Sequence, residues 1–303
     1  MKNLSRRFPA LRASFGLDSS IVVPVVKFGG WMTVSNVIGP IMVYLDRFLI
    51  GALLSVTAVA YYTAPFDTVT RLLMIPAAAA SVLFPAFAVT LLQNSARTEL
   101  LLKRGTKYVL LAVFPVVLAI VVFAPEGLRV WLGPSFAENG GTVLRWLAAG
   151  VFVNSLAHAP FALIQGAGRP DVTAKMHLLE LPLYLAALWL LTARLGIRGA
   201  AIAWTGRNTL DACLIWFFAQ RQLPRGSKFL VKLAAIAGTG LLVFYAGTLA
   251  ANIYVRAGFL VVSLLLFLAV SWTRLLVPEE RALLLRRGRA MAPAISGFED
   301  PQR

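Results

Sequence analysis

Residues 106–124 read Thr-Lys-Tyr-Val-Leu-Leu-Ala-Val-Phe-Pro-Val-Val-Leu-Ala-Ile-Val-Val-Phe-Ala, a run in which Lys107 is the one charged side chain. About 20 such residues cross a bilayer as an α-helix, because a helix satisfies its own backbone polar groups where no water can. Working outward, comparable apolar runs occur at 28–50, 56–90, 142–166, 173–193, 198–219, 229–251 and 255–276, separated by short basic or Gly/Pro-marked breaks. Together they predict an all-α integral membrane protein of about eight transmembrane helices. The second run is too long for one straight span, and Pro65, Pro76 and Pro85 interrupt it, so a kinked or broken helix is expected there.

Composition agrees with that reading. Of the 303 residues 59% are apolar and 14% charged, against about 45–50% and about 25% in soluble domains. The longest polar stretches, residues 1–20, 93–107 and 278–303, are too short for a sizeable extramembrane domain, which excludes catalysis by a folded soluble module. Residues 1–20 carry Lys2, Arg6, Arg7 and Arg12 without a continuous apolar core, so no signal peptide is expected. A single cysteine, Cys213, excludes a disulfide framework and a Cys-based metal site. The patterns G-x-x-x-x-G-K-[ST], H-E-x-x-H, G-x-S-x-G and D-x-D do not occur, so the expectation is a protein that is not an enzyme and needs no cofactor. Gly166-Ala-Gly-Arg-Pro-Asp171 joins two spans and reads as a tight turn rather than a phosphate loop.

The net charge of +16 is distributed by position along the chain. With the N-terminus in the cytoplasm, 21 of the 29 Lys and Arg residues fall on the cytoplasmic side and five outside, while Arg71, Arg145 and Arg207 lie within spans. Basic residues recurring at alternate breaks set topology, so both termini are expected in the cytoplasm. A nucleic-acid surface would instead gather its charges on one face, so no nucleic-acid partner is expected.

Ionisable groups at a helix centre cost about 2.5–3.5 kcal/mol each, so each needs a partner or a wet cavity. Asp67 with Arg71, and Arg207 with Asp211, are i, i+4 and are expected to pair along one helix face. Either the pairs only lower the insertion cost, or they face a hydrated cavity in which Arg holds a phosphate and Asp releases it. Glu180, His177, His158 and Asn154 could form a proton path. Alternatively His177 sits at headgroup level and His158 bonds a backbone carbonyl. Asp46 beside Arg47 reads as an interfacial pair near the end of the first span.

Three segments carry a family resemblance: Phe28-Gly-Gly-Trp-Met-Thr-Val-Ser-Asn36, Tyr44-Leu-Asp-Arg-Phe-Leu-Ile-Gly51 and Val59-Ala-Tyr-Tyr-Thr-Ala-Pro65. Ile75-Pro76, Leu83-Phe-Pro85, Val130-Trp-Leu-Gly133, Leu163-Ile-Gln-Gly-Ala-Gly-Arg-Pro-Asp171 and Gly196-Ile-Arg-Gly-Ala-Ala-Ile-Ala-Trp204 follow in order. In this combination the chain resembles the Wzx-type O-antigen and exopolysaccharide flippases, whose superfamily also holds the multidrug (MATE) exporters and the lipid II flippases. The resemblance covers residues 20–222 well and the last two spans loosely.

The resemblance implies two six-helix bundles related by a pseudo-two-fold along the membrane normal, around a polar cavity that alternates between leaflets. This chain would correspond to the second bundle plus two accessory helices. The implied domains are a basic cytoplasmic segment (1–27), a MATE-like six-helix bundle (28–222), two accessory transmembrane helices (228–277) and a basic cytoplasmic tail (278–303). The implied cargo is an undecaprenyl-diphosphate-linked oligosaccharide for lipopolysaccharide or exopolysaccharide, crossing the bacterial cytoplasmic membrane. Arg71 and Arg207 would bind its diphosphate, and Asp67, Asp211, Glu180 and Asp46 would serve as coupling or charge-pair groups. Membrane lipids and a second six-helix bundle, from a homodimer or a separately encoded N-terminal half, are the implied partners. Alternatives are half of a MATE-like cation exporter, an inactive truncated transporter, or an assembly subunit. A polysaccharide polymerase or ligase is disfavoured, because the outer breaks at 124–141, 194–197 and 252–254 are too short for a catalytic loop.

Overall fold

Ser55, Asn94 and Asn252 mark where the chain turns between hydrophobic runs, each accepting a backbone N–H in the first turn of the helix it caps. A computed structural model describes residues 19–224, 227–250, 252–276 and 278–281. The first 18 residues of the expected basic segment and the tail from residue 282 lie outside the described residues. In chain order the helices are α1 (Ser19–Leu53), α2 (Val56–Thr70), α3 (Met74–Gln93), α4 (Ser95–Val122) and α5 (Ala124–Leu132). They continue as α6 (Pro134–Gly166), α7 (Pro170–Leu195), α8 (Ile197–Gln220), α9 (Phe229–Leu249) and α10 (Ile253–Val270).

All eight expected runs are helical. Among the described residues, seven stretches are long and apolar enough to cross a membrane: 25–53, 56–93, α4, α6, α7, α9 and 253–275. The chain is an all-α, multi-pass integral membrane protein. The expected sixth span, α8, is 24 residues long but is not among the seven. Arg198, Arg207 and Asp211 lower its hydropathy, and it packs along α6 and α7 with Ala200, Ala201, Trp204, Asn208 and Asp211 buried. Its polar face is tolerated because it meets protein rather than lipid.

The long second run does break, at one place. A 3₁₀ turn, Arg71–Leu73, separates α2 from α3. Pro76 has no N–H for the carbonyl of Leu72, and its ring crowds that carbonyl, so the winding changes one turn upstream of it. Pro65 and Pro85 lie inside continuous helix. The break at 124–141, expected as a loop, is instead α5 and the first turns of α6.

The centre of the bundle is α6. It touches α2, α3, α4, α5, α8 and α9, and it is the most buried of the apolar stretches, whereas α10 has no buried residue. Close approaches depend on missing side chains. A Cβ on Gly199 would stand 1.9 Å from the Leu191 carbonyl oxygen, so the α7–α8 corner closes only over a glycine. Gly196 turns that corner at φ 62°, where an L side chain is strained.

A candidate intramembrane site between α7 and α8

On α7, His177, Glu180 and Tyr184 follow at i, i+3 and i+7, so they share one face. Trp204, Arg207 and Asp211 repeat that spacing on α8. The two helices run antiparallel and pack together, which sets the rows in reverse register. Arg207 Nε stands 3.8 Å from Glu180 Oε2, and His177 Nε2 stands 3.6 Å from Asp211 Oδ1. The Arg207 guanidinium also lies 5.7 Å from the Tyr184 ring centroid, in cation–π range.

The expected Arg207–Asp211 pair is therefore replaced by cross-helix pairs. A neighbouring helix supplies Glu180 and the Tyr184 ring together, and both draw the guanidinium off its own helix. Glu180 and Asp211 are close enough for their charges to repel. Two carboxyls then face one permanent cation, and the group becomes neutral when it holds one proton, on His177 or on a carboxyl.

Arg207 lines two cavities. One, of about 210 Å³, is bounded by Asn154, His158, Phe161, His177 and Asp211. The other, of about 280 Å³, is bounded by Glu180, Leu183, Tyr184, Ala187 and Gly206. His158 Nδ1 lies 3.0 Å from the Asn154 carbonyl, so this histidine contacts a backbone carbonyl. Asn154 Nδ2 donates to Asn208 Oδ1 at 2.8 Å and ties α6 to α8 beside the first cavity.

A second charged group lies where α1 meets α2. Asp46 is fully buried, accepting from the Tyr62 hydroxyl at 2.6 Å and from the Arg47 backbone N–H at 2.7 Å. It is thus not an interfacial pair with the Arg47 side chain. Arg47 reaches Asp67 with Nη2, and its guanidinium rests 5.4 Å from the rings of both Tyr44 and Phe66. That corrects the expected Asp67–Arg71 pair, because Arg47, already held by two rings, occupies the carboxylate. Arg71 is exposed at the 3₁₀ turn, and no ion pair to it occurs among the described residues.

Tyr184 stands between the two groups. It interacts electrostatically with both Asp46 and Arg207, and its buried hydroxyl has no hydrogen-bond partner among the described residues. Sequence reasoning overlooked Tyr62, Tyr184 and Asn208 as site residues; the i, i+3, i+7 spacing shared by 177–184 and 204–211 was a usable signal for Tyr184, whereas Tyr62 and Asn208 lie outside those rows. Of the six expected site residues, Arg207, Glu180 and Asp211 come together. Asp46 and Asp67 join the second group, and Arg71 stands apart.

Comparison with known proteins now bears on these residues. Residues 8–140 match a family described as "Polysaccharide biosynthesis protein". A protein of Shigella flexneri described as "Putative O-antigen transporter" is 37% identical over 198 residues, which is 64% of this chain and 46% of that protein. The chain resembles the Wzx-type polysaccharide flippases. It spans about half the length of the curated relative it matches. That relative is described as a transporter. No solved structure matches the chain.

Proposed function

We propose that this protein works as one bundle of a flippase that moves undecaprenyl-diphosphate-linked oligosaccharide across the bacterial cytoplasmic membrane for cell-surface polysaccharide. The observation that carries this reading is the buried Arg207–Glu180–Asp211–His177 group opening onto two cavities between α6, α7 and α8. A guanidinium held by a carboxylate can exchange that partner for a diphosphate, whose tetrahedral phosphorus also presents two oxygens to a bidentate contact. Proton uptake by the displaced Glu180, and by Asp211 or His177 beside it, would offset part of the cargo's negative charge and couple transfer to the proton gradient. Under this reading both termini lie in the cytoplasm, following the basic residues.

A second six-helix bundle, from another copy of the chain or from a separate polypeptide, completes the cavity. The exposed Arg71 favours this arrangement, since it sits mid-way along 56–93, where meeting hydrocarbon would cost about 2.5–3.5 kcal/mol. The test is glycan export in a flippase-null strain expressing this chain alone or together with the N-terminal bundle of a longer relative. Export only with the added bundle, or by the chain alone as a dimer, is expected. Export by a strictly monomeric chain would refute the two-bundle arrangement. No export in any combination would leave an inactive or assembly role.

A further inference from the structure

Another cavity lies away from this site, where α6 faces α9 at the end of the bundle where α4 stops. It holds about 390 Å³ between Trp146, Ala149, Leu241, Phe244 and Tyr245, within the size range of small-molecule sites. Its wall is apolar apart from two threonines and one charged residue, Arg145. Arg145 Nε donates to the Val121 carbonyl at 3.1 Å, in the last turn of α4, which sets the guanidinium at the level where that span ends. Its Nη2 is buried and has no hydrogen-bond partner among the described residues.

A second guanidinium is close by. Arg256, at the start of α10, lies near enough to Arg145 for their charges to repel. Arg256 is already engaged, giving Nε to the Ala250 carbonyl at 2.6 Å and Nη1 to Glu126 Oε1 at 2.6 Å. Glu126 Oε2 is buried without a partner, so one carboxylate faces two permanent cations and the group carries one excess positive charge. A buried donor with no acceptor is costly, and so is an unbalanced charge beside hydrocarbon. One singly charged phosphodiester on the Arg145 guanidinium would balance that charge.

We propose that this cavity binds a phospholipid, with its phosphodiester on the Arg145 guanidinium and an acyl chain between α6 and α9 against Leu241, Phe244 and Tyr245. Net charge, the Arg145 guanidinium and the apolar wall suit an amphiphile with an anionic head at the membrane interface. Free phosphate would leave the wall empty, and an uncharged diglyceride would leave Arg145 unmet. A lipid seated there would fasten α9 to α6.

The test uses the full chain, delipidated in detergent, with bound dioleoylphosphatidylglycerol counted by native mass spectrometry. One saturable lipid is expected on the unaltered chain. Arg145→Gln should weaken its binding by at least about tenfold, with Arg145→Lys intermediate. Arg129→Gln, at an exposed arginine on the same end, should leave binding unchanged. Ala149→Phe fills the cavity while keeping Arg145, should also abolish binding, and decides the matter if Arg145→Gln does not fold. Equal binding by Arg145→Gln or Ala149→Phe would overturn the proposal. So would dioleoylglycerol binding as well as dioleoylphosphatidylglycerol, or inorganic phosphate displacing the lipid.

Discussion

Arg207→Met breaks the central pair while keeping most of the apolar stem. The pair is almost wholly out of solvent, with the Arg207 side chain 11% and the Glu180 side chain 2% exposed, so solvent screening contributes little. Removing one partner of a buried pair in a soluble protein costs about 3–5 kcal/mol. In a membrane the reference state also finds partners, and polar contacts between helices are worth less. Here that partner is known, because Arg207 and Asp211 are i, i+4 and can pair within an isolated α8. The expected cost of Arg207→Met is therefore about 2–3 kcal/mol. Glu180→Met should cost at most about 1 kcal/mol, since Arg207 falls back on Asp211. The double variant should recover at least about 1 kcal/mol relative to the sum of the singles. Equilibrium unfolding in lipid particles by steric trapping measures all three. A Glu180→Met cost equal to or above that of Arg207→Met, or strict additivity, would refute the cross-helix pairing.

Exchanging the charges within α8, Arg207→Asp with Asp211→Arg, keeps the i, i+4 spacing but sets an acid against Glu180 and a guanidinium against His177, so folded yield should fall in a membrane-integration assay. Tyr62→Phe removes the hydroxyl donor to the buried Asp46, and the loss of a hydrogen bond to a charged acceptor should cost about 1.5–3 kcal/mol in the same unfolding assay. Gly199→Ala places a methyl group on the Leu191 carbonyl and should cost about 2–3 kcal/mol by overpacking; an unchanged unfolding midpoint would contradict the close α7–α8 corner. In a Cys213→Ser background, Ser135→Cys should label from outside intact cells and Leu100→Cys should not, and the reverse pattern would invert the proposed topology.

Sequence alone determined that the chain is helical and lies in a membrane. Apolar runs near 20 residues admit no other architecture once water is gone. Three prolines marked the long second run for a break, and the structure placed that break one turn before Pro76. The sequence also identified the residues that had to be satisfied, because Asp, Glu and Arg inside a span are costly wherever they occur. It did not determine their partners. Spacing along one helix suggested Asp67 with Arg71 and Arg207 with Asp211, since a single helix reveals only its own i, i+3 and i, i+4 contacts. The tertiary structure chose Arg47 for Asp67 and Glu180 for Arg207, because neighbouring helices bring a counter-charge and an aromatic ring to the same guanidinium. The fully buried Asp46 and the link between Arg256 and Glu126 across 130 residues have the same origin. Which side chains meet depends on the rotation and register of packed helices, and those follow from close approaches such as Gly199 against Leu191, which hydropathy does not record.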